Sequence, residues 1–223
     1  MLLACTLFAI ARPGALYLQG GGATSTELAK RFIADCKSGT IVVLGQTHKD
    51  PKDAKASVEF LKAQGATSVR LEDGDGFIPE SLGELGEHLD EAAGIWIPGG
   101  DQNLFMKRFG KEWLRETFSA LLKRGVNFFG TSAGAMIMSN PMICRNGKEP
   151  GTAEVGDGIG LTKILIDTHY KARNRQDRLR DALRQTKGTL AIGLDEKEWI
   201  ILRDGTIEAF SGKPDKIGFP PGL

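Results

Sequence analysis

Short apolar runs alternate along the chain with longer amphipathic stretches. GALYLQ is apolar and stops at Gly20-Gly21-Gly22. TSTELAKRFIADCKS then reads as a helix, with Thr24 or Ser25 at its N-cap, where a hydroxyl accepts from an otherwise unpaired first-turn N–H. TIVVLGQ is β-branched and apolar throughout, as buried parallel strands are. DPKDAKASVEFLKAQG places Pro51 near a helix start and Gly65 just past its end. TSVRLE is the next strand and IPESLGELGEHLDEA the next helix. GIWIPGG is a strand ending in glycines, and DQNLFMKRFGKEWLRETFSALLKRG supplies one or two helices up to Gly125. VNFFG is a strand and AGAMIMS opens a helix. TKILID, RQDRLRDALRQTKG and TLAIGLD continue as strand, helix and strand. EWIILRDGTIEAFS is two apolar runs around Asp204-Gly205, a hairpin signature, and the tail SGKPDKIGFPPGL reads as loop.

Such alternation predicts an α/β fold: a mostly parallel, doubly wound sheet with helices on both faces, ending in a C-terminal β-hairpin. No linker, repeat or low-complexity tract divides residues 12–223, which read as a single domain. Residues 1–11, MLLACTLFAIA, are an apolar leading segment. Ala9-Ile10-Ala11 resembles a signal-peptidase site, so export to the periplasm or beyond is favoured. The opening lacks Lys or Arg before the apolar run and is too short to span a membrane, which keeps a buried leader on a cytoplasmic protein as the alternative.

Composition narrows the partners. Apolar residues make up 41% and charged residues 26%, and the net charge is +1, so no global field points to nucleic acid or an anionic membrane. Cys5, Cys36 and Cys144 have neither zinc-site nor disulfide-framework spacing and read as buried or free thiols. Gly20-Gly21-Gly22 lacks the offsets of a dinucleotide fingerprint, and no P-loop is present. A tight turn at the sheet edge is the better reading.

The candidate chemistry centres on Gly130-Thr131-Ser132-Ala133-Gly134, a G-x-S-x-G pentapeptide between a strand and a helix. Small residues let the chain turn sharply, aim the Ser132 hydroxyl off the sheet edge, and place the Ala133 N–H at a helix start, where it can stabilise an oxyanion. Gly99-Gly100 ends another strand at the same edge, making the Gly100 N–H the natural second donor. Three histidines compete as base. His169 follows TKILID at the active edge, His48 also follows a strand, and His88 lies in a polar helix and reads as solvated. Asp195 and Glu196 end the next strand, where an acid can orient the imidazole. The acid thus follows the histidine. In α/β-hydrolases the acid comes first and the histidine last, so that fold is excluded.

The segments GALYLQGGGA, IWIPGGDQ, GTSAGAMIMS, IDTHYKARNRQDRL and AIGLDE, spread over residues 14–196, together resemble the cyanophycinase and aspartyl dipeptidase family of serine peptidases. That family is related in fold to the class I glutamine amidotransferases. The arginine-bearing segment after the histidine is more similar to the cyanophycinase branch. The resemblance implies Ser132 as nucleophile, His169 as base, Glu196 as its orienter, and Gly100 and Ala133 as oxyanion hole. It places Asp101 and Gln102 in a substrate-contacting GGDQ turn. It also places Arg173, Arg175 and Arg178 in an R-x-R-x-x-R segment that holds the carboxylates of a poly-aspartate backbone bearing arginine side chains. The basic run agrees, since guanidinium groups bind carboxylates bidentately, whereas Arg180 and Arg184 read as a solvated helix face beside Asp177 and Asp181. Thr168 stands where the cyanophycinase pattern has glutamine.

The implied activity is a cyanophycinase-like exopeptidase releasing β-aspartyl-arginine dipeptide from an acidic polymer, without metal or organic cofactor. An α-aspartyl dipeptidase or other small acidic-peptide hydrolase is one alternative, and a non-catalytic binding member of the family is another. Neither nucleic acid nor stable membrane insertion is expected. A homodimer is an open expectation, since relatives are often dimers.

Overall fold

The computed structural model describes residues 12–74 and 79–218, so the leading segment 1–11 lies outside the described residues. The main sheet has seven strands in the order β11-β10-β1-β5-β4-β2-β3. They are β1 (Leu16–Gln19), β2 (Thr40–Leu44), β3 (Val69–Glu72), β4 (Ala92–Ile97), β5 (Asn127–Thr131), β10 (Trp199–Arg203) and β11 (Thr206–Ser211). The five strands from β1 to β3 in that order run parallel, and β10 and β11 add the expected antiparallel hairpin.

Strand alternation sends side chains to two cores. Leu16, Leu18, Ile95, Ile97 and Phe128 face one of them. It is closed by α3 (Pro79–Asp90), α4 (Gln102–Phe109) and α5 (Lys111–Lys123) through Leu89, Phe105, Leu114 and Phe118. Tyr17, Trp96 and Phe129 face the other, under α1 (Thr26–Asp35) and α2 (Lys55–Ala63). There Trp96 stacks on Phe129 at 3.7 Å, and Phe32 meets Phe129 edge-on at 5.6 Å. Ser25, one of the two cap candidates, accepts from Leu28 N and starts α1.

The second half departs from a single sheet. β8 (Leu165–Thr168) and β9 (Ala191–Leu194) pair parallel to each other, but in a separate three-stranded sheet. Its third strand is β12 (Asp215–Ile217), antiparallel to β9, in the tail expected to be loop. β6 (Met142–Asn146) and β7 (Ala153–Gly156) form a two-stranded ribbon that the sequence pattern did not mark. Both small sheets pack with α7 (Gln176–Thr186) around Met136, Ile143, Leu165, Tyr170 and Leu179. These strands are short and their apolar residues few, so periodicity shows that they are strands without showing which sheet they join.

Candidate active site

The chain turns from β5 into α6 (Ala133–Met136), a helix of only four residues. Ser132 sits at that turn with φ 51° and ψ −115°, a conformation that costs a non-glycine residue energy and persists only when its surroundings impose it. Those surroundings are close. A Cβ on Gly130 would lie 2.3 Å from Gly134 O, and one on Gly134 would lie 2.1 Å from Ile97 O. The two glycines of the pentapeptide are therefore required by backbone approach. Ser132 N donates to Gln19 O at 3.0 Å, tying the turn to the end of β1.

β8 and β9 deliver the remaining partners together. Thr168 pairs in register with Leu194, so His169 and the segment from Asp195 leave the same end of a parallel pair. Ser132 Oγ lies 2.9 Å from His169 Nε2, and His169 Nδ1 lies 2.8 Å from Glu196 Oε1. The imidazole is nearly buried while Glu196 is half exposed. With Nδ1–H donating to Glu196, Nε2 is left free to accept the serine proton.

Asp195, the other acid candidate, does different work. Its Oδ1 accepts from Lys171 N and Ala172 N at 3.1 and 2.9 Å and fixes the turn just after His169. The competing histidines are also placed elsewhere. His88, expected to be solvated, is instead mostly buried, with Nδ1 2.8 Å from Glu72 Oε1. His48 follows β2, and its carbonyl accepts from Arg108 at 2.6 Å.

The glycine run after β1 joins the two sheets at this point. Gly20 O accepts from His169 N at 2.8 Å, Gly20 N donates to Glu198 O, and Lys197 N donates to Gly21 O. Gln19, wholly buried, shapes the loop by donating to Gly21 O and Ala23 O and accepting from Ser25 N. A Cβ on Gly21, whose φ is +116°, would lie 2.4 Å from His169 Cε1, and one on Gly22 would lie 3.1 Å from Glu196 Cβ. Three consecutive glycines are thus what allow this loop to lie flat against the imidazole and the carboxylate. Sequence reasoning placed them at the active edge but missed this contact; the one available signal was a glutamine ending an apolar strand. Gly21→Ala should displace the ring and lower kcat about 100-fold, a loss measurable in steady-state assays of folded variant.

A cleft of about 470 Å³ opens beside Ser132 and is lined by Gly100, Ala133, Met136 and Thr168 among others. Gly100, at φ +138°, is pressed against Thr47, whose hydroxyl donates to Gly99 O and whose carbonyl accepts from Asp101 N. Among the described residues neither the Gly100 N–H nor the Ala133 N–H donates a hydrogen bond, so both are available to a ligand at the serine.

Two residues expected to touch substrate in the GGDQ turn have structural duties. Asp101 Oδ1 caps α4 by accepting from Asn103 N and Leu104 N at 2.8 and 3.3 Å, because first-turn N–H groups have no partner within the helix. Gln102 Nε2 donates to Ile143 O and Cys144 O, pinning β6. Both still line the cleft.

The arginines divide in the same way. Arg178, expected to bind substrate carboxylate, is buried. Its Nε donates to Asp167 Oδ2 at 2.9 Å, its Nη2 to Asp167 Oδ1, and its Nη1 to Asn146 Oδ1. A guanidinium so deep needs a counter-charge from the protein itself, and the buried Asp167 supplies it. Arg175 donates to Thr168 O at 2.8 Å and approaches the same Asp167 at 3.5 Å. Burial, then repulsion from Arg178, lowers its pKa to about 10, so it remains charged at neutral pH. The Arg173 side chain is exposed at the cleft and, among the described residues, has no hydrogen-bond or ion-pair partner. Arg180 and Arg184 pair with Asp177 and Asp181, as a solvated face does. Cys36 is a free buried thiol whose pKa burial raises to about 12, and Cys144 is a free, half-buried one.

Peptidase family S51 matches residues 49–210 of this sequence. The chain belongs to that family. Similar proteins include a cyanophycinase from Geminocystis herdmanii, 29% identical over 76% of this chain and 66% of that protein. A cyanophycinase from Trichormus variabilis is 30% identical over 54% of this chain and 43% of its own length. A peptidase E from Streptomyces coelicolor is 27% identical over 60% and 58%. The matches span 43% to 66% of the length of these curated relatives. Among solved structures, a peptidase from an acI-B1 Actinobacterium superposes with a TM-score of 0.65 at 19% identity, covering 93% of this chain and 98% of the other. A putative peptidase E from Listeria monocytogenes gives 0.65 at 17% identity, covering 89% and 98%. At those identities the structures establish a shared fold, and with it the α/β class expected from the strand and helix pattern.

Proposed function

We propose that this S51 chain is a serine peptidase that hydrolyses aspartyl peptide bonds through an acyl-enzyme. The observation that carries the reading is the hydrogen-bonded chain Ser132–His169–Glu196, with 2.9 and 2.8 Å contacts, opening onto a cleft with two unused backbone N–H groups. Ser132 Oγ attacks the scissile carbonyl as His169 Nε2 takes its proton. Glu196 holds the tautomer and offsets the imidazolium charge. The N–H groups of Gly100 and Ala133 receive the oxyanion. His169 then protonates the leaving amine, and water releases the acyl group by the same steps in reverse roles. No step calls on a metal or an organic cofactor.

The cationic cleft supports an acidic substrate, with Arg173 as the available carboxylate partner and Arg175 and Arg178 setting the field around it. We take the substrate to be a poly-aspartate backbone bearing arginine side chains, cleaved to β-aspartyl-arginine, in line with the cyanophycinase names among the relatives. Product analysis on that polymer, alongside Asp-X dipeptides, tests it: release of β-aspartyl-arginine is expected, and turnover of dipeptides alone would move the assignment to a peptidase E-like activity. Arg173→Ala should raise KM about tenfold with kcat little changed, because a carboxylate contact remote from the scissile bond stabilises ground and transition states alike. An unchanged KM would remove Arg173 from substrate binding. Export and homodimer formation stay part of the proposal and call for fractionation and sedimentation measurements.

A further inference from the structure

Gly99 and Gly100 follow one another just after β4, beside the nucleophile: a Cβ on Gly99 would lie 3.9 Å from Ser132 Oγ. The Gly100 N–H belongs to the peptide unit that joins them, and so does the Gly99 carbonyl. In a trans peptide these two groups point in opposite directions, so whatever holds the oxygen also aims the N–H. Successive glycines leave that unit easy to rotate, since neither carries a Cβ that resists the motion. An oxyanion donor built on it needs a hold from elsewhere.

Thr47 supplies that hold from the loop after β2. Its Oγ1 donates to Gly99 O at 2.9 Å, and its carbonyl accepts from Asp101 N at 2.8 Å. The peptide units before and after Gly100 are thus both bound to one residue. The approach is close: a Cβ on Gly100 would lie 2.4 Å from Thr47 O. Thr47 is 1% exposed and is not among the residues that line the cleft, so it acts on Gly100 rather than on substrate.

Thr47 is itself fixed. It ends a single 3-10 turn, Gly45–Thr47. Arg108, on α4, donates to Gln46 O at 3.0 Å, His48 O at 2.6 Å and Lys49 O at 2.8 Å, which secures the carbonyls on either side of Thr47. α4 is the helix that Asp101 caps. Loop and helix therefore close a ring around Gly99-Gly100, with Thr47 at the point of contact.

We propose that Thr47 is a positioning residue of the oxyanion hole: its hydroxyl, bound to Gly99 O, holds the Gly99–Gly100 peptide with its N–H facing the reacting carbonyl and strengthens that N–H as a donor. A hydrogen bond accepted at one end of a peptide unit polarises the other end. The gain grows as negative charge develops on the substrate oxygen, so it falls on kcat. The Ala133 N–H starts α6 and remains when the Thr47 hydroxyl is removed. The inference rests on the acyl-enzyme reading, in which Gly100 and Ala133 receive the oxyanion.

Thr47→Val replaces the hydroxyl with a methyl of similar size. On the aspartyl polymer, kcat should fall about 30-fold while KM stays within about twofold. Thr47→Ser keeps the hydroxyl and should retain kcat within about threefold. Thr47→Ala, which sets no methyl against Gly99 O, should lose about tenfold and carries the test if the valine variant does not fold. Thr40→Val is the control. It removes a hydroxyl bonded to Ser68 Oγ at 3.0 Å, at the opposite end of β2. It should leave kcat within about twofold. A fluorophosphonate probe reads the same effect without a peptide. Ser132 Oγ bonds to phosphorus, fluoride leaves, His169 takes the serine proton and the phosphoryl oxygen occupies the hole, so Thr47→Val should slow labelling about tenfold. A folded Thr47→Val protein with wild-type kcat, a serine variant as impaired as the valine one, or an equal loss from Thr40→Val overturns the role. Absence of polymer hydrolysis by the wild type, with the slowed labelling intact, would count against the substrate reading and not against Thr47.

Discussion

Replacing Ser132 with alanine should lower kcat on an aspartyl polymer by roughly 10⁴-fold or more, with thermal unfolding close to that of the wild type. The size follows from the geometry. Ser132 Oγ is the only nucleophilic atom hydrogen-bonded to His169 Nε2 among the described residues, and what remains without it is the polarising effect of the cleft and its two N–H groups. The small effect on folding follows from the backbone. Alanine keeps the same Cβ, so the cost of φ 51° is unchanged, and the bond from residue 132 N to Gln19 O is made by the main chain. Steady-state kinetics on protein whose melting curve has been checked decides the matter. Near wild-type turnover by Ser132→Ala would remove Ser132, and with it the acyl-enzyme, from the mechanism.

Asp167→Ala should be the most destabilising single change in this region, by about 3–5 kcal/mol, because it leaves the buried Arg178 guanidinium without its carboxylate. Asp167 is wholly buried, bonds Arg178 through both oxygens, and accepts from its neighbour Thr168 N at 2.8 Å. It lies at the end of β8, two residues before His169, so the loss should reach the site as well as the fold. For a chain of this length, differential scanning calorimetry should register a drop in Tm of roughly 10 °C. The double variant Asp167→Ala/Arg178→Met removes both charges and should recover part of the loss, since the larger share of the cost is the unpaired cation rather than the missing attraction. A single variant as stable as the wild type would mean that solvent and Asn146 Oδ1 already satisfy the Arg178 guanidinium without a counter-charge.

The arginine segment shows most clearly where reading by type and spacing stops. Arg173, Arg175 and Arg178 are alike in sequence and sit at family spacing, yet only Arg173 presents an unengaged guanidinium to the cleft. Arg178 is turned inward by the helical phase of α7, which buries it beside Leu179. Its partner, Asp167, had no sequence mark beyond being a charged residue at the end of an apolar strand. Asp101 and Gln102 make the same point. A residue that opens a helix is drawn to cap it, and a glutamine beside a neighbouring ribbon is drawn to that ribbon's carbonyls.

Local sequence determined the α/β alternation, the closing hairpin at Asp204-Gly205 and the strand–turn–helix around Ser132. Each depends on contacts within a few residues: apolar runs, caps, and glycines where the backbone must turn. The order of serine, histidine and acid was also legible, since chain order is not altered by folding. Only the tertiary structure decided that β8, β9 and β12 leave the main sheet, that Glu196 rather than Asp195 reaches the imidazole, and that Gly20–Gly22 lies against both. Those outcomes depend on which of several equally apolar or equally charged groups comes to lie opposite another far along the chain, and that is set by packing the sheets together, not by any pattern within one segment.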